Sequence, residues 1–168
     1  MIYYSNSKKE TQKIASNLAA TSRSNASGGI IALEGELGAG KTTFVQAFVK
    51  ALGVKAKVKS PTFNIIKRYP INPNGYSLMA IRYLYHIDCY RLKDHKEAIP
   101  LGIRDIFSAV GGPPPKDGQA ASGGKASQNF VLIEWSERIK KILPKKLILV
   151  HIDHISRNKR KIQITKHK

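Results

Sequence analysis

Apolar positions recur along this chain in two patterns, one typical of buried strands and one typical of helices. Residues 30–33 form an uninterrupted apolar run of strand length, and residues 130–133 form another. Between these runs, Phe44, Phe48 and Leu52 recur at every fourth position, which predicts one buried face of a helix. Strand and helix patterns therefore alternate, as they do in α/β proteins.

The remaining segments extend this alternation. Residues 8–21 predict a helix, because Ser7 and Glu10 have the spacing of a capping box and Ile14 and Leu18 share one face. Further expected elements are strands at 63–68, 147–152 and 161–165, an apolar segment at 79–90, short helices at 94–98, after 102 and at 136–143, and a half-exposed strand or an extended linker at 54–58.

These elements predict an α/β three-layer sandwich on a largely parallel sheet, with an antiparallel C-terminal hairpin formed by the last two strands. The pattern is interrupted at residues 111–129, which are rich in Gly, Pro, Ser and Gln and contain few side chains able to pack. We expect a single domain over residues 1–168 that carries a flexible surface insertion at about 111–129.

Composition narrows the class of protein. The hydrophobic content of 42% is ordinary for a globular chain. Cys89 is the only cysteine, which excludes an internal disulfide and a cysteine-based zinc site. The N-terminal residues lack the pattern of a signal peptide, and no apolar run is long enough to span a membrane. These features predict a cytoplasmic protein.

The chain is strongly basic. It has 29 Lys and Arg residues against 11 Asp and Glu residues, a formal net charge of +18. One interpretation is a phosphate-rich partner such as RNA, or an acidic protein surface. The other is a general lysine bias that places solvated ammonium groups on every face, since the lysines are mostly scattered along the chain.

The most specific chemical signal is at residues 35–42, which satisfy the phosphate-loop pattern G-x-x-x-x-G-K-S/T between an expected strand and an expected helix. Glycines let backbone N–H groups turn toward an anion, and the helix start adds positive potential. Lys41 is expected to reach the β- and γ-phosphates and Thr42 to hold Mg²⁺. The residues expected to bind the cofactor ATP are Gly38, Ala39, Gly40, Lys41, Thr42 and Thr43.

A phosphate loop needs an acidic residue to complete the Mg²⁺ site, and such a residue normally follows an apolar strand. Glu134 follows residues 130–133 and fits this role best. Asp88 ends another apolar segment and is expected to bind Mg²⁺ through water or to orient the attacking water. Thr62 lies beside a proline and is a candidate sensor of the γ-phosphate. His86 is given no catalytic role.

Three classes of function fit the loop. An ATPase is favoured over a GTPase, because no Asn-Lys-x-Asp stretch is present to bind guanine. A kinase that phosphorylates a small metabolite is an alternative, although residues 111–129 make a poor lid. A nucleotide-gated RNA-binding protein is a further alternative, in which the basic surface holds RNA.

Several motifs in fixed order resemble one family. Beyond residues 35–44 these are Ser-Pro-Thr-Phe at 60–63, Tyr-His-Ile-Asp-Cys-Tyr-Arg-Leu at 85–92, Leu-Gly-Ile-Arg-Asp at 101–105 and Ile-Glu-Trp at 133–135. The ordered set is similar to that of TsaE, a family of small bacterial ATPases required for making threonylcarbamoyladenosine in tRNA. The resemblance covers about residues 11–160, except the insertion.

The resemblance implies a P-loop NTPase domain with ATP and Mg²⁺ at its loop. Thr42 and Glu134 would form the metal site, Asp88 would be needed for hydrolysis, and Thr11 would lie near the nucleotide base. Lys41, Asp88 and Glu134 are thus the expected catalytic residues. The implied partners are the proteins TsaB and TsaD, where TsaD transfers the threonylcarbamoyl group to tRNA. The positive charge is not implied by the family and suggests direct contact with tRNA.

Overall fold

The computed structural model describes residues 1–24, 28–56, 58–61, 64–71, 81–110 and 128–168. The strands are β1 (Ile2–Ser5), β2 (Gly29–Glu34), β3 (Ile66–Pro70), β4 (Ile81–Asp88), β5 (Gln128–Glu134), β6 (Leu147–His154) and β7 (Arg160–His167). The helices are α1 (Lys8–Ser24), α2 (Lys41–Ala51), α3 (His95–Ala98), α4 (Ile103–Ser108) and a 3₁₀ helix (Ser136–Ile142). No helix in these ranges is both long enough and apolar enough to cross a bilayer.

The seven strands form one mixed sheet in the order β1-β7-β6-β2-β5-β4-β3. The four central strands β6, β2, β5 and β4 are parallel. The outer pairings β4–β3, β6–β7 and β7–β1 are antiparallel. The expected largely parallel sheet is therefore parallel only at its centre, and three of its six pairings are antiparallel. The expected C-terminal hairpin is present as β6 and β7.

The two faces of the sheet carry separate apolar cores, because side chains alternate along each strand. On β2, Ile31 and Leu33 pack on the face covered by α1 and α2, together with Phe44 and Phe48. The neighbouring Ile30 belongs to the opposite core, beneath α4 and the 3₁₀ helix. The sheet thus lies between two helical layers, as the alternation of elements predicts.

Local differences from the expected elements have physical causes. Strand β1 is absent from the sequence prediction because Ile2, Tyr3 and Tyr4 are all exposed, so the period of two is missing. Its conformation comes from pairing with β7. Residues 54–56 form no strand, which favours the linker interpretation of 54–58. Helix α1 continues past the expected residue 21 to Ser24.

Some expectations fall outside the described residues. Thr62 lies there, as do residues 72–80 and residues 111–127 of the expected insertion. The strand expected at 63–68 is described from Ile66. The last two residues assigned to the insertion belong to β5, which begins at Gln128. Asn129 is fully buried there and donates to the Ala109 carbonyl, so the surface insertion does not extend to residue 129.

Candidate functional site

The expected site residues gather at the carboxyl ends of the parallel strands, where ligands bind in open α/β sheets. Strand β2 ends at Glu34 and leads into the glycine-rich loop, residues 35–40, which precedes α2. On the neighbouring strands, Asp88 of β4 lies opposite Glu134 of β5 in parallel register. Glu134 is also paired with Leu33 of β2. The loop and both acids therefore lie together at the carboxyl ends of the central strands.

The glycine-rich loop is held tightly at its start and is open further along. Gly35 has φ 136°, and a side chain there would collide with the carbonyl oxygen of Ile152. Gly38 has φ 78°, but no atom lies within 4 Å of the position a Cβ would take. From β7, Arg160 donates through Nε to the Ala39 carbonyl at 2.9 Å. This contact supports the loop from outside.

Helix α2 directs backbone N–H groups toward the same loop. Its first internal bond runs from the N–H of Phe44 to the carbonyl of Gly40, at 2.9 Å. The N–H groups of Lys41, Thr42 and Thr43 precede that bond, so they point out of the helix start. Together with the helix dipole they form a local site of positive potential.

Lys41 extends from this helix start into the loop. Its side chain is only 4% exposed, and Nζ donates to the carbonyls of Gly35 at 2.6 Å and Glu36 at 2.9 Å. The same ammonium lies 3.5 Å from the ring centre of Trp135, a cation–π contact. Burial lowers the pKa of Lys41, and nearby carboxylates, that of Glu137 foremost, oppose the shift. Lys41 is thus a cation fixed within the loop.

Thr42, Glu134 and His86 form a buried hydrogen-bonded chain. The Thr42 hydroxyl donates to Glu134 Oε2 at 2.7 Å. His86 Nε2 lies 2.9 Å from Glu134 Oε1, and His86 is fully buried. A carboxylate oxygen accepts, so His86 Nε2 is the donor of this bond, while among the described residues His86 Nδ1 has no partner. Both oxygens of the Glu134 carboxylate are therefore oriented.

Asp88 is also buried and held on both oxygens. Its Oδ1 accepts the N–H of Tyr90 at 3.0 Å, and its Oδ2 accepts the Ser60 hydroxyl. The backbone N–H of Asp88 donates to the Ile65 carbonyl at 2.8 Å. These contacts fix the orientation of the Asp88 carboxylate at the end of β4.

Thr11 lies on the other side of the loop. It is 4% exposed, and its hydroxyl is 2.8 Å from the Ser5 hydroxyl. It lines a cavity of about 180 Å³ between α1, the glycine-rich loop and the β6–β7 turn. The other residues of this cavity include Gly38, Ala39, Gly40, Thr43, Asn158 and Arg160. The cavity therefore continues from the loop toward α1.

The structure thus brings two groups of expected residues to opposite sides of the loop. Lys41, Thr42, Asp88 and Glu134 lie at the end of the sheet, and Thr11 lies with Gly38, Ala39, Gly40 and Thr43 around the cavity. The position of Thr62 is not described.

Four contacting residues have no assigned role in the sequence analysis: Ser60, His86, Trp135 and Arg160. Residues two positions apart on a strand lie on the same face, so His86 shares a face of β4 with Asp88. This spacing in the sequence could have indicated that His86 lies near the site. Trp135 directly follows Glu134, but its contact with Lys41 depends on the fold. No local signal exists for Arg160, which is 121 residues from Ala39.

A family comparison decides the relationship. The model for the threonylcarbamoyl adenosine biosynthesis protein TsaE matches residues 5–112, which include the glycine-rich loop and Asp88. The chain belongs to the TsaE family. Glu134 lies beyond the matched range, but similarity to individual TsaE proteins extends over as much as 97% of this chain. The family resemblance of the motifs is therefore confirmed.

Several curated TsaE proteins are similar over most of the chain. The tRNA threonylcarbamoyladenosine biosynthesis protein TsaE of Rickettsia conorii is 36% identical over 97% of this chain and 77% of its own length. The protein of the same description from Bacillus subtilis is 34% identical over 94% and 80%, respectively. The one from Haemophilus influenzae is 36% identical over 74% of this chain, and the match spans 63% of that protein.

A solved structure supports the TsaE relationship at the level of the fold. The crystal structure of YdiB from Bacillus subtilis superposes with a TM-score of 0.67 at 28% sequence identity. The superposition covers 100% of this chain and 86% of YdiB. The mixed seven-stranded sheet described above is thus shared with a known structure.

Proposed function

We propose that this chain is a Mg²⁺-dependent ATP hydrolase that serves the modification of tRNA to threonylcarbamoyladenosine. The observation that carries the proposal is the hydrogen bond between Thr42 and Glu134, at the helix start that also presents Lys41. It unites a phosphate-loop pattern with an acid from a neighbouring strand. Family membership supplies the pathway, and the site supplies the chemistry.

The glycine-rich loop fits a triphosphate. Open space beside Gly38 leaves room for phosphate oxygens, and the N–H groups at the start of α2 point toward the loop. Lys41 would bind the β- and γ-phosphates, exchanging its carbonyl partners for charged oxygens, which are stronger acceptors. The contact with the Trp135 ring would keep the ammonium in position during that exchange.

The donor set also fits Mg²⁺. The Thr42 hydroxyl and the Glu134 carboxylate are oxygen ligands, the type that Mg²⁺ prefers, and they already lie side by side. When bound, the ion would neutralise charge on the phosphate oxygens. Thr42 and Glu134 would hold it, and His86 would keep the carboxylate oriented through Oε1.

Asp88 is the candidate for orienting the attacking water. The N–H of Tyr90 and the hydroxyl of Ser60 fix the orientation of its carboxylate, a group that accepts hydrogen bonds from water. Its register opposite Glu134 supports a place next to the metal ligands. Lys41, Asp88 and Glu134 would therefore carry the hydrolysis.

The cavity that contains Thr11 is the candidate site for the nucleoside. It adjoins Gly40 and Thr43 at the loop, and its lining combines short polar side chains with the cationic Lys8, Arg157 and Arg160. The absence of an Asn-Lys-x-Asp motif from the full sequence favours adenine over guanine. ATP is therefore the proposed nucleotide, with Thr11 on the side of the base.

The proposal includes the setting of the reaction. We expect residues 1–168 to act as one ATPase domain in the cytoplasm, together with TsaB and TsaD. In that complex TsaD would transfer the threonylcarbamoyl group, and this chain would supply ATP hydrolysis. Turnover by the isolated protein should be slow and should rise when both partners are added.

Depletion of the protein in its own host, followed by nucleoside analysis of bulk tRNA, tests the proposal. We expect threonylcarbamoyladenosine to fall. Wild-type protein and Lys50→Ala, a change of an exposed lysine on the same helix, should restore it, whereas Lys41→Ala should not. Undiminished threonylcarbamoyladenosine after depletion would contradict the pathway. Phosphate transferred to a metabolite would indicate a kinase.

A further inference from the structure

A groove between α3 and the 3₁₀ helix concentrates the positive charge of the chain. It has a volume of about 740 Å³, and five of its eight lining residues are Lys or Arg. We call this surface the basic groove. Its cationic side chains and its one histidine are Lys93, His95, Lys96, Arg138, Lys140 and Lys141.

The lysines of the basic groove are available for an external anion. Lys93, Lys96, Lys140 and Lys141 are exposed, and none of them forms an ion pair within the described part of the chain. Ammonium groups without an acidic partner repel one another, so an anion that bridges them is stabilised.

Two acids near these lysines bind backbone groups, and a third acid, Glu137, also lines the groove. The Asp94 carboxylate accepts the N–H of Lys96 at 2.6 Å, and the Glu97 carboxylate accepts the N–H of Lys93 at 2.9 Å. Arg138 is also fixed, because its Nη1 donates to the Leu92 carbonyl at 3.1 Å. The groove therefore carries exposed lysines beside two acids that are held by backbone N–H groups.

Positive charge is not distributed evenly around the candidate site. A second cavity, of about 470 Å³ beside the start of the glycine-rich loop, is lined by Glu34, Glu36, Glu137 and Asp153 among its eight residues. Three of these acids, Glu34, Glu36 and Asp153, line this cavity and not the basic groove, whereas Glu137 lines both. A general lysine bias would not separate basic from acidic surfaces in this way. Such a separation is expected of a protein that binds a polyanion in one orientation.

We infer that the basic groove binds the phosphate backbone of RNA, and that its occupant is tRNA. Lysine side chains suit phosphates as mobile point charges, and four of them in one open groove can follow consecutive phosphates. The choice of tRNA rests on the proposed function, but the groove itself does not. The 3₁₀ helix begins immediately after Glu134 and Trp135, so the bound backbone lies beside the candidate ATP site.

Contacts between lysines and the phosphate backbone of RNA make the binding affinity depend on salt concentration, and they carry little sequence specificity. The test therefore measures binding of a labelled, unmodified tRNA transcript by the full-length protein as the salt concentration is varied. The groove variant replaces Lys93, Lys96, Lys140 and Lys141 by alanine. The matched control replaces four exposed lysines of α1, α2 and β7 by alanine: Lys9, Lys13, Lys50 and Lys166.

The groove variant should bind tRNA at least about 10-fold more weakly at physiological salt. Its plot of log affinity against log salt should be shallower by about 3, since each phosphate contact contributes roughly 0.7 to 0.9. The control, which loses the same charge, should change affinity by less than about 3-fold. Modified and unmodified tRNA should bind alike.

Equal losses in the two variants would overturn the inference, because they would indicate attraction by net charge alone. Displacement of tRNA by polyglutamate at the same charge concentration would overturn it in favour of an acidic protein partner. ATP turnover without RNA is measured in parallel and should be unchanged in the groove variant. Absent turnover in the wild type with intact tRNA binding would contradict the proposed function and leave the groove assignment standing.

Discussion

Thr42 and Glu134 are 92 residues apart in the chain, yet the Thr42 hydroxyl donates to Glu134 Oε2 at 2.7 Å. The bond connects the first turn of α2 with the end of β5. It places the Thr42 hydroxyl and the Glu134 carboxylate side by side. Glu134 is only 2% exposed, so this hydrogen bond is shielded from solvent.

Substitutions at this pair should change the Mg²⁺ requirement. Glu134→Gln keeps the shape of the side chain but removes its charge, and we expect the Mg²⁺ concentration for half-maximal ATP turnover to rise by at least about 10-fold. Thr42→Val should have a similar effect, while Thr42→Ser should stay within about 3-fold because the hydroxyl remains. A Mg²⁺ titration of turnover measures all three, and an unchanged requirement in Glu134→Gln would remove Glu134 from the metal site.

His86 should act as a positioning residue for Glu134. Its Nε2 donor is matched by the amide of glutamine, so His86→Gln should keep the Mg²⁺ requirement within about 3-fold of wild type. His86→Leu leaves Glu134 Oε1 without this donor and should raise the requirement by about 10-fold.

Urea unfolding of both His86 variants separates positioning from folding. If His86 serves packing alone, the two variants will lose stability without any difference in their Mg²⁺ titrations. Rescue by glutamine but not by leucine is the expected result.

Gly35 and Gly38 should differ in their tolerance of alanine. A Cβ at Gly35 collides with the Ile152 backbone, and alanine also resists φ 136°, so Gly35→Ala should lower the free energy of unfolding by about 3 kcal/mol or more. Gly38→Ala meets no atom within 4 Å and should cost about 1 kcal/mol, from its positive φ alone. Urea denaturation measures both values, and equal losses would contradict the close approach at Gly35.

Stability should depend on pH through Glu137. Glu137 is exposed at its surface, but partial desolvation raises its pKa above the usual 4.5 and the Glu34 carboxylate raises it further, while a backbone hydrogen bond and Lys41 partly oppose the shift. The folded state therefore prefers protonated Glu137. This contribution to stability is fully present below the usual pKa and is lost as the pH rises through the raised pKa.

Glu137→Gln should accordingly be more stable than wild type at about pH 7.5, and the difference should shrink at about pH 4. Urea midpoints at the two pH values provide the measurement. Glu36→Gln, at an exposed acid of the neighbouring loop, is the control for a general charge effect. A stability difference for Glu137→Gln that is the same at both pH values would contradict the prediction.

Cys89 should be chemically inert in the folded protein. It is fully buried, and its burial, followed by the charges of Asp88 and Glu137, raises the pKa of its thiol to about 12. At about pH 8 the thiolate fraction should be roughly 1,000-fold lower than at an ordinary cysteine. Labelling by a thiol reagent should therefore follow unfolding in urea, and rapid labelling of the native protein would contradict the burial.

Local patterns in the sequence were enough to predict much of the fold and of the candidate site. Glycine spacing and the periodicity of Phe44 and Phe48 predict the glycine-rich loop and α2. The apolar run before Glu134 predicts β5, and the last two apolar segments predict the hairpin. These signals work because each depends on residues within a few positions of one another.

Features that depend on contacts between distant segments of the chain are not predicted from the sequence, or are predicted wrongly. Strand β1 shows no alternation, since three of its four residues are exposed, and it exists through its pairing with β7. The share of antiparallel pairing was underestimated because pairing direction is set by strand order. The contacts of Trp135 with Lys41 and of Arg160 with Ala39 likewise join distant segments.

By itself, the sequence determined the chemistry available to this protein: a phosphate-loop pattern, two acids that follow apolar segments, and an excess of lysine. Only the tertiary structure decided which of these groups meet. Parallel register brings Asp88 opposite Glu134, and the packing of α2 on the sheet brings Thr42 to the same carboxylate. The reason is physical, because contacts over such separations follow from the order of strands and the burial of helix faces, which no local periodicity encodes.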